Sequence, residues 1–350
     1  VRAWVSLPDK DGCGHYRALW PGQAVESDDV QVEFIERLSM TIDEAGHVTD
    51  MDKPRCDVFV MSRPLRRLNA ESVAVMQAKG IAVVVDIDDD FEALDPRHIA
   101  YKRNQPKFNR ESNRAWLRKA CAQADLVTCT TPALARRYGA HGRVAVVPNF
   151  IPRRMIGALP EEPRDGRTVG WPGHVATHPR DLLATRGGVG QACREFGARF
   201  VNVGSGKAVV EQLDLNGVEY EPRGYAEFAD YPFAIAGFDV GIVPLDDTKF
   251  NAAKSALKGL ELAAVGVPFV ASPTEDYQRI ADDGIGLLAK WKAKDWKRAT
   301  LDLLRNRDEY GEQFRAGVID RYLLEDNAWR WAEAWDQAIT NARRRTPVAA

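Results

Sequence analysis

Between Phe250 and Glu261 the sequence reads Phe-Asn-Ala-Ala-Lys-Ser-Ala-Leu-Lys-Gly-Leu-Glu, a short stretch dense in groups that can hold an anion. The spacing predicts a helix over 252–265. At 100° per residue, Asn251, Lys254, Lys258 and Glu261 fall within an arc of about 80°, beside an apolar face of Ala253, Leu257, Leu260 and Ala264. One account is a solvated charged stripe. Two features oppose it: Lys254 and Lys258 are like charges one turn apart, and both stand toward the helix N-terminus, where the macrodipole disfavours cations. A phosphate-bearing ligand would remove both penalties and use the free N–H groups of the first turn. Glu261 lies about 10 Å further along the axis than Lys254. That distance suits a diphosphate at the mouth and a ribose diol accepted by the carboxylate deeper in.

Two further segments offer chemistry. Asp11-Gly12-Cys13-Gly14-His15-Tyr16-Arg17 follows the first apolar run. Gly12 and Gly14 let a backbone approach a ligand closely, and a helix N-terminus follows. A plain tight turn, with His15 as a helix-start residue and Cys13 as a space-filler, is the alternative. The run Val83-Val84-Val85-Asp86-Ile87-Asp88-Asp89-Asp90 ends a hydrophobic strand in carboxylates that could meet a divalent metal. It resembles motif one of HAD-type phosphatases, with Asp86 as nucleophile, and the D-x-D of GT-A glycosyltransferases. Asp90 stands where the phosphatase motif has Thr or Val, a phosphatase has no need of the second complete sheet that follows, and the GT-A resemblance leaves the downstream helix unexplained. Asp88, Asp89 and Asp90 are therefore read as a strand mouth that touches an acceptor or helps close the domains, or as caps of the next loop.

These groups need elements to place them. Apolar runs at 2–7, 30–36, 57–62, 81–87, 126–130 and 144–147 alternate with amphipathic stretches at 15–26, 68–79, 109–124 and 132–139. The alternation restarts with strands at 168–171, 199–204, 218–221, 239–243, 267–271 and 286–288, and helices near 179–196, 226–236, 252–265 and 275–282. The pattern predicts an α/β protein of two Rossmann-like, doubly wound parallel sheets facing a cleft. Residues 1–150 form the first domain and 167–322 the second. Pro148, Pro152, Pro160 and Pro163 mark a linker over 151–166. The segment 323–350, with Trp329, Trp331 and Trp335, is expected to return as a helix to the first domain.

With 350 residues the chain is long enough for two cores. A formal net charge of -2 argues against a dedicated nucleic-acid binder. Five cysteines without a C-x-x-C pair read as reduced thiols rather than a zinc site. No signal-peptide core or membrane-length apolar run is present, so a cytoplasmic enzyme, monomer or homodimer, is expected.

Asn251-x-x-Lys254-Ser255-x-x-Lys258-x-x-Glu261, followed by Gly266-x-Pro268-x-Val270-Ala271-Ser272, resembles the donor-sugar motif of GT-B glycosyltransferases, in particular the retaining family 4 type. Val169-Gly170-Trp171-Pro172-Gly173-His174 with His178-Pro179-Arg180-Asp181-Leu182 is similar to that family's first strand, loop and helix. Phe200–Gly206 resembles its second strand and glycine turn, and Phe238–Pro244 the strand before the donor helix. The match covers most of 168–272.

The resemblance implies transfer of a hexosyl group from a UDP- or GDP-sugar to a glycan, lipid-linked sugar or protein acceptor held by the first domain. It implies that Lys258, Lys254 and Arg180 neutralise the leaving diphosphate without a metal, Ser255, Gly173, His174 and Gly204 line the donor, Glu261 holds the ribose, and the backbone around Arg223–Glu227 holds the base. In the resembled fold the Gly12–Gly14 loop borders the donor phosphates and the acceptor, which makes Arg17 and His15 candidates for phosphate neutralisation or proton handling. One departure stands out. Many members carry a second glutamate eight residues before the one at Glu261, and here that position is Ala253. The sugar contacts then fall to Asp246, Asp247 or Asn251. Three other readings remain: a sugar-nucleotide epimerase on the same scaffold, a metal-dependent enzyme built on Asp86–Asp90, and a non-catalytic sugar-nucleotide-binding module.

Overall fold

The computed structural model describes residues 1–51, 55–160, 163–206 and 208–345. The chain divides into two compact units: Val1–Ala93, Ala100–Asn149 and the chain from Leu324 form one, Leu94–Ile99 and Phe150–Leu323 the other.

The first unit contains β1 (Arg2–Ser6), β2 (Gln31–Ile35), β3 (Met40–Ile42), β4 (Val48–Met51), β5 (Val58–Ser62), β6 (Ala82–Ile87), β7 (Leu126–Cys129) and β8 (Val144–Val146). Six of them pair in parallel in the order β2-β1-β5-β6-β7-β8. The central strands β5, β6 and β7 are buried at every residue, which is why they read as unbroken apolar runs. An antiparallel hairpin of β3 and β4, which periodicity does not reveal, lies outside this sheet. The helices are α1 (Gly12–Gly14), continued by a π-helical turn at His15–Leu19 into α2 (Trp20–Val25), then α3 (Arg67–Ala78), α4 (Arg114–Gln123) and α5 (Pro132–Tyr138).

The second unit repeats the plan with β9 (Thr168–Pro172), β10 (Arg199–Val203), β11 (Tyr220–Gly224), β12 (Val240–Val243), β13 (Phe269–Ala271) and β14 (Leu287–Leu288), all parallel, in the order β11-β10-β9-β12-β13-β14. This is the 3-2-1-4-5-6 order of a Rossmann sheet. Its helices are α6 (Gly188–Phe196), α7 (Val209–Leu213), α8 (Tyr231–Ala236), α9 (Lys249–Ala252), α10 (Leu257–Ala264), α11 (Glu275–Asp282), α12 (Ala293–Arg305) and α13 (Arg307–Arg321). The helix expected at 179–196 is broken: Asp181–Thr185 is a 3-10 turn, and Arg186 and Gly187 take positive φ before α6 begins. The Pro-rich stretch 151–166 packs on this unit where it is described; Glu161 and Glu162 lie outside the described residues. Arg164 donates to the carbonyls of Ala236, Gly266 and Val265 at 2.8, 2.9 and 2.9 Å.

After α14 (Leu324–Asn327) the chain ends in α15 (Trp329–Arg343), which packs in the first unit. Its buried face is Trp331, Ala334, Trp335 and Ala338, at the i, i+3, i+4, i+7 spacing of one helical stripe. Arg345, just past the end of this helix, pairs with Asp125 at 2.8 Å and donates to Ile81 O at 3.1 Å. Residues 346–350 of the expected terminal segment lie outside the described residues. All five thiols are free. Among the described residues no helix is long and apolar enough to cross a membrane.

Candidate functional site

In the second sheet the strand order reverses between β9 and β12, and the crevice outside the carboxyl ends at such a point is where α/β folds bind ligands. β9 runs into Gly173 and His174. Asn202 on β10 holds this turn, its Nδ2 donating to Trp171 O at 3.0 Å and Gly173 O at 3.1 Å. Gly204 has φ +148°, and a Cβ there would lie 2.0 Å from Gly173 O, so the close approach of the two turns requires glycine. Ser205 N–H donates to His174 Nδ1 at 3.1 Å, and Ser205 O accepts from Val175 N at 2.9 Å. With Nδ1 accepting, Nε2 carries the proton of the neutral ring. Burial, and secondarily the charge of Lys258, depresses the His174 pKa and favours that form.

The continuous helix expected over 252–265 is corrected by the structure. α9 ends at Ala252, and α10 starts at Leu257. In an unbroken helix Ala256 N–H would bond to Ala252 O. Instead it donates to the buried carboxylate of Asp276, 2.6 Å away on α11. Lys254 and Ser255 therefore lie in the turn before α10, and the repulsion argued between Lys254 and Lys258 along a helix does not apply as stated. Lys254 places its ammonium 4.5 Å from the Phe250 ring centroid. Lys258 is in the first turn of α10, half-buried, and donates to Pro172 O at 2.6 Å, at the carboxyl end of β9. Burial, opposed by Glu261 and reinforced by Lys254, lowers its pKa to about 8. One turn further, the buried Glu261 carboxylate accepts from Tyr231 OH at 3.0 Å.

A second polar cluster joins these elements. Asn251 Nδ2 donates to Asp181 Oδ1 at 2.6 Å and to Asp246 O at 3.0 Å, and Asp246 N–H donates to the same Asp181 oxygen at 3.0 Å. The other Asp181 oxygen lies 2.7 Å from His178 Nδ1. Burial carries His178 down to about 4 despite that carboxylate, so the ring is neutral with Nδ1 as the donor. Arg180 reaches Asp246 at 3.0 Å. Asn251 is thus committed to holding Asp181 and the Asp246 backbone. Arg223 does not join the group: it is exposed and paired with Glu221 at 2.6 Å. Sequence reasoning did not single out Tyr231, Ser205, His178 or Asp181 as site residues. The His178-x-x-Asp181 spacing was the available signal, one helical turn between an acid and a base.

The remaining candidates belong to the first unit and have structural tasks there. Gly14 N–H donates to Asp9 Oδ1 at 2.8 Å, and a Cβ on Gly14 would lie 2.0 Å from Asp9 O. The Gly12–Gly14 turn is thus packed against its own Asp9. His15 Nδ1 lies 2.8 Å from Asp11 O. Arg17 is corrected as a phosphate ligand, because it is 2% exposed with its donors engaged. It contacts Asp86 at 2.7 and 3.0 Å, Val147 O at 2.8 Å and Asn149 Oδ1 at 3.1 Å, and stacks 5.3 Å from the Trp331 ring centroid. Asp86 also accepts from Thr128 Oγ1 at 2.6 Å and is 2% exposed, which leaves no face for the attack that the phosphatase resemblance assigns it.

The aspartate run is likewise engaged. Asp88 pairs with Arg63; burial would raise its carboxyl, but Arg63 more than offsets this and holds it below the usual range. Asp89 lies 3.8 Å from Arg63. Asp90 is 3% exposed beside Arg137 at 3.3 Å, and burial raises its pKa. A direct acceptor contact by Asp90 is therefore corrected to an internal ion pair. Among the described residues no group of three His, Cys, Asp or Glu side chains is arranged to hold a metal.

No protein-family model and no curated protein matches the sequence. Solved structures do match in fold. The crystal structure of Anabaena Alr3699/HepE in complex with UDP aligns with TM-score 0.65 and 13% identity, over 96% of this chain and 99% of that one. A glycosyltransferase from Rickettsia africae ESF-5 aligns with TM-score 0.61 and 10% identity, over 97% and 98%. TarM aligns with TM-score 0.55 and 14% identity over 80% of this chain, which spans about half of TarM, 54%. The shared feature is the pair of Rossmann-like parallel sheets.

Proposed function

We propose that the protein is a glycosyltransferase that binds a nucleoside-diphosphate sugar at the head of the second sheet. The observation that carries this reading is the Lys258–Pro172 contact. It places a cation in the first turn of α10 at the carboxyl end of β9, with the buried Glu261 carboxylate one turn further. A diphosphate there meets the Lys258 ammonium, the α10 N-terminus and the turns at Gly173 and Gly204. Lys254, Ser255 and Arg180 supplement that charge and hydrogen bonding. Glu261, oriented by Tyr231, accepts the ribose hydroxyls, the backbone around Arg223–Glu227 holds the base, and His174 Nε2–H donates to the donor. Asn251 acts through Asp181 and Asp246 rather than by contact.

In the reaction the acceptor hydroxyl oxygen bonds to the anomeric carbon as the bond from that carbon to the diphosphate oxygen breaks, and the hydroxyl proton passes to the released diphosphate. The electron pair leaves with the diphosphate, and the site's main task is to stabilise that charge. With cations in this role the reaction needs no metal. The family 4 resemblance supports retention of configuration, and we assign the acceptor to the first unit, whose head carries His15 and Asp88-Asp89. The HepE structures in complex with UDP, and with UDP and glucose, make a UDP-sugar the first donor to test.

The test is calorimetric titration with UDP and GDP in the presence of EDTA, followed by a transfer assay with the nucleotide sugar that binds. Binding that is lost in Lys258→Ala and Glu261→Ala supports the reading. Unchanged binding in both variants, or no binding of any sugar nucleotide, overturns it. Conversion of the donor to an epimer without acceptor would establish the epimerase reading instead.

A further inference from the structure

On the first unit, the segment from Lys102 to Lys119 carries seven lysines and arginines against one acid, Glu111, in a chain whose formal net charge is -2. The local fold holds these cations together. Gln105 O accepts the amides of Phe108 and Asn109 at 3.0 Å each. Asn113 Nδ2 donates to Asn109 O at 2.7 Å, and Trp116 Nε1 reaches back to Arg110 O at 2.7 Å. The loop is thereby folded against the first turns of α4.

Beside α4 lies a cavity of about 480 Å³ with a lining of two kinds. Pro106, Ala115 and Ala122 are apolar; Arg114, Arg118 and Lys119 are cationic, and the two arginines share the one carboxylate of the lining, Glu92. Glu92 is 7% exposed, and Arg118 Nε donates to it at 2.8 Å. Arg114 lies 3.8 Å from Glu92 and donates to Gln105 Oε1 at 3.0 Å. Both guanidinium groups are held in place before any ligand arrives, which lowers the ordering cost of binding. A single carboxylate leaves the three cations with a net positive charge. In the same segment Phe108 is 55% exposed, with Lys107 Nζ 5.7 Å from its ring centroid.

We propose that this face docks on an anionic phospholipid surface, the cavity taking a phosphate-bearing headgroup and Phe108 entering the acyl boundary. Charge complementarity supplies the attraction, and the apolar walls beside the cations match an amphiphile rather than a bare polyanion. An unpaired nucleic-acid strand would call for open aromatic faces on which bases stack. Of the two rings in this segment Phe108 is open, but the Trp116 ring has the Lys119 ammonium 5.4 Å from its centroid and its N–H bonded to Arg110 O, which leaves no run of open faces for successive bases.

Co-sedimentation of the full chain with vesicles tests this, comparing phosphatidylcholine alone with phosphatidylcholine containing phosphatidylglycerol. Binding is expected only to the anionic vesicles, is lost in high salt, and weakens roughly fivefold for each cation removed. The double variant Lys107→Glu/Arg110→Glu should abolish it, and Phe108→Ser should weaken it at low salt, with far-UV circular dichroism confirming the fold of each. Equal binding to neutral vesicles, no vesicle binding, or undiminished binding by the double variant overturns the proposal. Binding of heparin or an oligonucleotide without vesicle binding overturns it in favour of a soluble polyanion.

Discussion

The Lys258 ammonium donates to the Pro172 carbonyl at 2.6 Å, tying the first turn of α10 to the carboxyl end of β9. The contact spans 86 residues of sequence and lies at the point where the sheet order reverses. It also holds a cation where burial disfavours one, so the lysine is poised near neutrality.

Nucleotide binding should therefore depend on pH. With its pKa lowered to about 8, Lys258 loses its proton as pH rises through that value, and a bound diphosphate would raise the pKa again. Affinity for the nucleoside diphosphate should fall above about pH 8, and binding there should take up protons. Calorimetry in buffers of different ionisation enthalpy measures that uptake, and Lys258→Met should remove it.

Tyr231→Phe should separate orientation from charge. The variant removes the donor to Glu261 at 3.0 Å and leaves a buried carboxylate less well satisfied, at a cost of about 1.5–3 kcal/mol. A higher KM for the donor with little change in kcat is expected. Steady-state kinetics with varied donor reads the difference, and an unchanged KM would show that Glu261 does not need this partner.

Arg17→Met should damage the fold and spare the donor site. Breaking a buried ion pair on one side costs about 3–5 kcal/mol, and Asp86, Val147 O and Asn149 would all lose a donor. Urea unfolding should show the loss, while nucleotide affinity of the folded protein stays unchanged. A selective loss of nucleotide binding would restore Arg17 as a phosphate ligand.

His178 makes stability sensitive to acid. Its folded pKa is about 4, below the ordinary imidazole value of 6.5, so the unfolded chain binds more protons between those values. Stability should fall as pH drops from about 6.5 toward about 4, by up to about 3 kcal/mol. His178→Gln should flatten that part of the profile in thermal melts across the same range.

Strands with both faces buried were the most legible part of the sequence. Val83-Val84-Val85 and Val240-Gly241-Ile242-Val243 announce themselves because a central parallel strand has no polar face. The hairpin of β3 and β4 has a mixed burial pattern and sent no such signal. At the site, the segment from Asn251 to Glu261 stood out as a polar stripe beside an apolar face because residue type and helical spacing are local properties. The break before Leu257 was not, since it depends on Asp276, twenty residues later, capturing the Ala256 amide.

Local pattern, then, was enough to determine two parallel α/β sheets and the segment bearing the cations, because period and residue type act over neighbouring residues. Tertiary structure decided which charges are free. Arg17 and Asp86 look like ligands in isolation, yet each finds the other across 69 residues and is sealed from solvent. Tyr231 looks unremarkable and meets Glu261 across 30. Whether a charged side chain serves a ligand or the fold depends on the partners that folding brings to it, and those partners are distant in sequence.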